Sequence, residues 1–361
     1  MKHKETNASN LQEKDIYHQY THKKKIVILV LAFLIVLLAI AAVNAGSFNL
    51  NLLQVIQSLL GKGSDASSVV IWQIRMPRIL AAITAGAGLA VAGCVMQNNL
   101  RNPLAAPDTL GISHAAAFGA NIAIIVLGAG SISSTSTDAV TINNPYLVTL
   151  CAFACSMAAT LVILLLARIR GFSPEAMILA GVALNSLFMA GTILIQYFAS
   201  DVQVAAAVFW TFGDLGRVAW REVLILACLV IFAFIYFLFK RWDYNALDSG
   251  EETAKSLGVH VKRVRQGGMF VSALIASVAV SFLGIIGFVG LIAPQIMRRI
   301  IGGDHRYLIP ASALMGSVLM LFSDTIARTM VAPVVLPVGA ITSFFGAPLF
   351  LYLLVRGYQR R

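Results

Sequence analysis

Residues 71–94 read IWQIRMPRILAAITAGAGLAVAGC: two arginines, Arg75 and Arg78, astride Pro77, then an apolar run without a charged side chain. The run continues to Leu100, long enough to cross a hydrocarbon core of roughly 30 Å as one helix. Arginines at the mouth of a membrane helix normally mark the cytoplasmic side, because translocation disfavours them. The side this pair occupies has to be read from the rest of the chain.

Composition agrees with a membrane setting. Of 361 residues, 58% are hydrophobic and 12% charged, and mean hydropathy is +0.82. A soluble domain carries about 25% charge. The net charge of +11 is not a nucleic-acid footprint, which needs a basic face on a soluble surface. Lys and Arg stand instead in short clusters between apolar runs, so a lipid bilayer is the expected partner and nucleic acid is not. Cys94, Cys151, Cys155 and Cys228 fall inside apolar spans with no CxxC and no neighbouring His or carboxylate. That favours packing over a metal site, and neither a metal nor a cofactor is expected.

Residues 1–25 are polar and end in Lys23, Lys24 and Lys25. The apolar segment behind them lacks a small-x-small cleavage site, so it reads as a retained span rather than a signal peptide. The expected organisation is a disordered, basic cytoplasmic tail over 1–25 and a transmembrane domain over 26–361. Apolar segments lie at about 26–46, 79–100, 109–130, 146–167, 174–198, 221–239, 264–283, 285–301, 307–326 and 338–356. The fold class is therefore an all-α polytopic membrane protein of about ten transmembrane helices, with both termini on one side. Between the first two spans, SFNLNLLQVIQSLLG (47–61) reads as a short amphipathic surface helix.

Alternate loops set the orientation. With the N-terminus inside, 21 of the 27 Lys and Arg face the cytoplasm; only Lys62, Arg75, Arg78, Arg217, Arg221 and Arg328 face out. Both termini are then cytoplasmic, and Arg75, Arg78 and Arg328 stand outside against the trend.

Within the span cores only His114 is ionisable, which reads as packing. Proton- or sodium-coupled carriers and voltage sensors need buried ionisable groups or broken polar helices. No HExxH, no paired intramembrane carboxylates and no Ser/His/Asp set suggest a hydrolase, and no GxxxxGK[ST] binds ATP within this chain. The small residues Ala82, Gly86, Ala90, Gly88 and Ala92 recur at helical spacing and read as close helix packing.

Among the inner loops, RWDYNALDSGEETAKSLGVHVKRVR (241–265) is the longest. Ala254, Leu257 and Val259 make one apolar face of a short helix stopped at Gly258, which favours a docking peg over a solvated connector. In LRNPLAAPDTLGI (100–112), Pro103 and Pro107 forbid helix, and the stiff turn sets Asn102 and Leu104 at the inner ends of two spans. Ser173, Pro174 and Glu175 read as a capped helix start.

Taken together, IRMPR (74–78), AGCVMQNNLRNPLAAPDTLGI (92–112), AKSLGV (254–259), GIIGFVGLIAPQIMRRIIGGDHRYLIPASAL (284–314), SDTIART (323–329) and LPVGAITSFFGAPLFLYLL (336–354) resemble the FecCD-type permeases. These are membrane subunits of ABC importers for iron–siderophore complexes, haem and cobalamin. The resemblance runs in order through nearly everything after residue 45. It implies two permease subunits, a second copy or a sister chain, around a central pathway, two P-loop ATPase subunits below and a substrate-binding protein above. It further implies that Arg75, Arg78 and Arg328 pair with glutamates of the binding protein, that Asn102 and Leu104 belong to the cytoplasmic gate, and that the segment Ala254, Leu257, Gly258 and Val259 contacts the ATPase. A local alternative exists for Arg328, since Asp324 stands four residues before it. One departure is Gln295, where many relatives carry histidine after the proline.

The expected function is a non-enzymatic permease of a bacterial cytoplasmic-membrane importer for ferric siderophore, powered by its ATPase partners. Haem or cobalamin is the alternative cargo. The rival from another class is a stand-alone channel or facilitator.

Overall fold

The computed structural model describes residues 2–45, 52–59, 61, 63, 65–129, 144–169 and 173–358. The chain folds into α1 (Lys2–Asn44), α2 (Leu52–Leu59), α3 (Asp65–Val69), α4 (Met76–Asn99), α5 (Ile112–Asn121), α6 (Pro145–Ile169), α7 (Pro174–Tyr197) and α8 (Asp201–Thr211). It continues with α9 (Trp220–Phe239), α10 (Arg241–Asp248), α11 (Glu251–Ser256), α12 (Val261–Leu283), α13 (Val289–Ile301), α14 (His305–Thr329) and α15 (Val338–Tyr358). Among the described residues the only β-type pairing outside helices is a lone bridge, Phe212 to Ile285.

Each of the ten apolar segments contains a helix, but they are not ten equal crossings. Seven helices among the described residues are long and apolar enough to span a bilayer. The third segment is divided: Gly111, at φ 76°, separates a short turn from α5, and a π-helical turn Ile122–Val126 follows. The eighth yields only the 13 residues of α13, because Gly284 (φ 79°) and Phe288 (φ 67°) break the chain after α12. The tenth is also a shorter apolar helix. Polar residues 1–25, expected to be disordered, instead extend α1 back to Lys2. They contain neither Gly nor Pro, so no helix breaker stands in the way. The expected surface helix is present as α2, while Ser47 to Asn51 lie outside the described residues.

α4 is the central post. In the span Asp65–Asn99, 78% of the most apolar stretch is buried, against 6% for α7. Its small face lets neighbours approach backbone to backbone: a Cβ at Gly86 would strike the Gly316 carbonyl of α14, and one at Gly93 the Gly290 carbonyl of α13. Lipid offers no hydrophobic drive between helices, so such van der Waals contact is what holds the post. α14, α12, α13 and α9 surround α4, α1 lies on α14, and α5 packs between α6 and α7. At one end Trp72 stacks on Trp220 and accepts its indole N–H on the backbone carbonyl at 2.8 Å. At the other, Arg306 lies over Trp242. Such aromatics mark bilayer interfaces.

Candidate docking, gate and coupling sites

The three outlying arginines meet at one end of the bundle, but not as a free cationic surface. Arg75, Arg78 and Arg328 are only 4%, 8% and 7% exposed. Arg78 Nε donates to Asp324 Oδ1 at 2.8 Å, and its NH2 lies 3.5 Å from Asp214. Arg328 Nε lies 3.0 Å from the other Asp324 oxygen, as an ion pair without hydrogen-bond alignment. Arg328 NH1 also donates to the carbonyls of Ala45 at 2.9 Å and Ala42 at 3.3 Å, and Arg75 NH1 donates to that of Val43. A helix leaves its last carbonyls unpaired and carries negative partial charge there. The guanidiniums therefore cap the C-terminal end of α1, and one buried carboxylate holds two of them. The local alternative for Arg328 is thus present. Asp324 is itself a fully buried ionisable group near the end of a span, where only His114 had been expected.

At the opposite end of α4, the candidate gate turn is built from amides. Asn102 Oδ1 accepts from the Leu104 N–H at 2.9 Å, the Asn102 N–H donates to the Gln97 carbonyl at 3.1 Å, and Leu104 stays exposed. Gln295 Nε2 donates to the Pro103 carbonyl at 3.0 Å and to Gln97 Oε1 at 2.9 Å, while Gln97 Nε2 donates to the Leu291 carbonyl. Two glutamines thus staple the turn to α13.

In the candidate coupling segment the short helix and its stop at Gly258 are present, but Ala254, Leu257 and Val259 do not form the single apolar face expected, because α11 ends at Ser256. Ala254 is fully buried and Leu257 is 68% exposed. The Val259 N–H reaches the Ala254 carbonyl at 3.0 Å and the Gly258 N–H that of Lys255 at 2.9 Å. With Gly258 at φ 84°, this is the paired 6→1 and 5→2 pattern of a Schellman stop. Glu251 Oε2 lies 3.0 Å from buried Arg265 of α12. Desolvation works against it, but Arg265 and Lys255 hold that carboxyl below its ordinary value.

The candidate gate and coupling segments meet through α10. Asn98, in the last turn of α4, donates to Asp248 Oδ1 at 2.6 Å and to the Tyr244 carbonyl at 3.1 Å. The other Asp248 oxygen lies 3.5 Å from His305 Nδ1 and 3.8 Å from Arg298. Burial raises the Asp248 pKa above its ordinary value. Asn245 donates to Asp304 at 3.0 Å. Partial burial opposes ionisation of Asp304, yet hydrogen bonds from Arg306 and Asn245 bring it down to about 2.

Sequence reasoning did not single out Gln97, Asn98, Asp214 or Asp248, and it set Gln295 aside without a role. Three consecutive amides, Gln97-Asn98-Asn99, ending an otherwise small and apolar helix were the available signal. Arg78, which faces Asp214, and Asn98, which donates to Asp248, lie far from them in sequence, so no local pattern reveals these pairs. The four cysteines are free, and no cluster of metal-binding side chains occurs among the described residues.

Comparison with known proteins follows the same outline. Residues 33–356 match the FecCD transport family. The chain is 58% identical to a Methanocaldococcus jannaschii protein, MJ0087, named as an ABC transporter permease, over 95% of this chain and 98% of that one. It is 36% identical to the hemin transport system permease protein HmuU of Yersinia pestis, over 92% of this chain and 96% of the relative. It is also 36% identical to the Fe(3+)-citrate import system permease protein YfmE of Bacillus subtilis, over 92% and 97%. A solved metal-chelate-type ABC transporter, in an inward-facing conformation, superposes with a TM-score of 0.77 at 29% identity, covering 92% of this chain and 99% of that chain. By sequence and by fold, the chain belongs to the FecCD transport family.

Proposed function

We propose that this chain is the permease subunit of a binding-protein-dependent ABC importer for a ferric siderophore, driven by two separate P-loop ATPase subunits. The observation that carries this reading is the short path from α11, through the adjoining α10 and its Asp248–Asn98 hydrogen bond, to the gate turn. Exposed Leu257 offers a peg to an ATPase, α10 presents Asp248 to Asn98, and α4 ends in the turn that holds Asn102 and Leu104. Displacement of the peg on ATP binding therefore moves the inner end of α4, and the Gln97–Gln295 staple carries α13 with it. The chain makes and breaks no covalent bond; it docks, gates and transmits.

Both termini then face the cytoplasm of a cell whose cytoplasmic membrane the chain crosses. The end holding Arg75, Arg78 and Arg328 receives the binding protein. Because these arginines are largely buried, they act mainly through their field, which sets encounter and register more than affinity. The bare face of α7 (Leu179, Leu187 and Leu194) suits a second permease, either a copy or a sister chain.

A second reading keeps the mechanism and changes the cargo to haem, favoured by the similarity to HmuU; cobalamin remains within the family's range. The test is uptake of labelled iron siderophores, haem and cobalamin in cells with and without the gene, alongside co-purification of a tagged chain with a P-loop ATPase. Loss of siderophore uptake with ATPase capture is expected. Loss of haem or cobalamin uptake alone replaces the cargo. A chain that never captures an ATPase is a channel or facilitator, and the proposal fails.

A further inference from the structure

A groove of about 480 Å³ runs between α6 and α12; none of the docking, gate or coupling residues lines it, although Arg263 follows shortly after Val259. It is lined by Leu161, Leu164, Leu165 and Arg168 from α6, and by Arg263, Gln266, Gly267 and Phe270 from α12. Each set follows the spacing i, i+3, i+4, i+7, so each is one stripe of its helix. α6 ends where α12 begins, which brings the two arginines to the same, Lys- and Arg-rich end. Leu161 and Phe270 lie two turns from the arginines, toward the middle of the apolar spans Pro145–Ile169 and Val261–Leu283. No ion pair or hydrogen bond of Arg168 or Arg263 occurs among the described residues, and both are exposed. Gly267 keeps the floor low, since a side chain there would collide with the Tyr236 hydroxyl of α9.

We infer that this groove binds an anionic phospholipid, its phosphate between Arg168 and Arg263 and an acyl chain along Leu161, Leu165 and Phe270. Two guanidiniums without acidic partners, at the depth where headgroups lie and above an apolar trough, match that amphiphile in charge and polarity. Basic pockets between membrane helices recognise anionic headgroups in this way, and each basic residue near such a surface is worth about fivefold in binding. The inference rests on the membrane placement of α6 and α12, not on cargo or direction of transport.

The test uses the full chain, purified in detergent and offered equimolar dioleoyl phosphatidylglycerol and dioleoyl phosphatidylcholine, with native mass spectrometry as the readout. Preferential retention of phosphatidylglycerol, about tenfold or more, is expected for the wild type. Parity is expected for the double variant Arg168→Gln/Arg263→Gln, and most of the preference should survive in Arg168→Lys/Arg263→Lys. Leu161→Ser/Phe270→Ser should weaken retention of both lipids. Millimolar inorganic phosphate should not displace the lipid, because phosphate lacks the chain that fills the trough. Equal retention of the two lipids by the wild type overturns the inference, a result that needs no variant to fold. So does a preference that survives the glutamine pair, or ready displacement by phosphate. Loss of ATPase co-purification in the glutamine variant, with lipid preference intact, would assign the arginines to an acidic face of that partner instead.

Discussion

Replacing Asp324 by asparagine tests whether the arginine cluster is a structural knot. The wild-type carboxylate is fully buried, 2.8 Å from Arg78 Nε and 3.0 Å from Arg328 Nε. Asparagine keeps the volume and removes the charge. Among the described residues Arg78 then keeps Asp214, 3.5 Å away, as its one charged partner, and Arg328 keeps the α1 carbonyls, with only a neutral amide oxygen left at position 324. Breaking one partner of a buried pair costs about 3–5 kcal/mol, because the other charge stays desolvated. The surviving partners place this case at the lower end, about 3 kcal/mol. At about 2–4 °C per kcal/mol for a medium-sized domain, Tm falls by about 6 °C or more. The assay is size-exclusion chromatography of detergent-purified protein after stepwise heating. A double-mutant cycle with Arg78→Met should show coupling of about 0.5–3 kcal/mol, with the pair of changes costing less than their sum. An unchanged Tm for Asp324→Asn refutes the knot and returns the arginines to the role of free docking charges. The same geometry shows why Arg78→Glu is a poor docking test: it sets a second carboxylate against buried Asp324 and should disrupt folding before it affects uptake.

Four further outcomes are expected. Gly258→Val forces a β-branched residue to φ 84°, costing about 1–2 kcal/mol; faster proteolysis within 254–260 is the readout. Leu257→Asp, at an exposed position, should change stability by no more than about 0.5 kcal/mol yet reduce co-purification with the ATPase; normal capture would remove the peg. Gln295→Ala deletes the donor to Pro103 and Gln97, at about 1–3 kcal/mol for acceptors left unpaired, and should raise hydrogen exchange across 100–106. Asp304 has its pKa lowered from 3.8 to about 2, so its stabilisation is complete above about pH 4 and is lost as pH falls toward 2. Asp304→Asn should flatten acid unfolding over that window.

The helical architecture was legible because hydrophobic length alone reports a membrane helix, and the small face of α4 announced its close neighbours. The Gly258 stop was legible for a similar reason, since its signal is local. Helix continuity was less so: α13 is short because the chain breaks at Phe288, a left-handed non-glycine residue that propensity does not reveal. The arginines were found as anomalies of topology, but their partners were not. Arg78 and Asp324 are 246 residues apart, so no spacing rule pairs them, and charge counting treated as exposed what tertiary structure buries. The Asp248–Asn98 join, which ties α10 to the end of α4, escaped for the same reason.

The capping of α1 also bears on how the protein is made. α1 emerges from the ribosome long before α14, yet Arg328, which holds its C-terminal carbonyls, lies 286 residues downstream of Ala42. Arg78 likewise awaits Asp324. Until α14 arrives, the end of the first helix has only Arg75 and the Arg78 guanidinium at most Asp214. Both sets of contacts are completed by that one late arrival. A nascent chain truncated before α14 would keep its early helices yet lack the buried carboxylate that locks them, which makes insertion of α14 the step that commits the bundle.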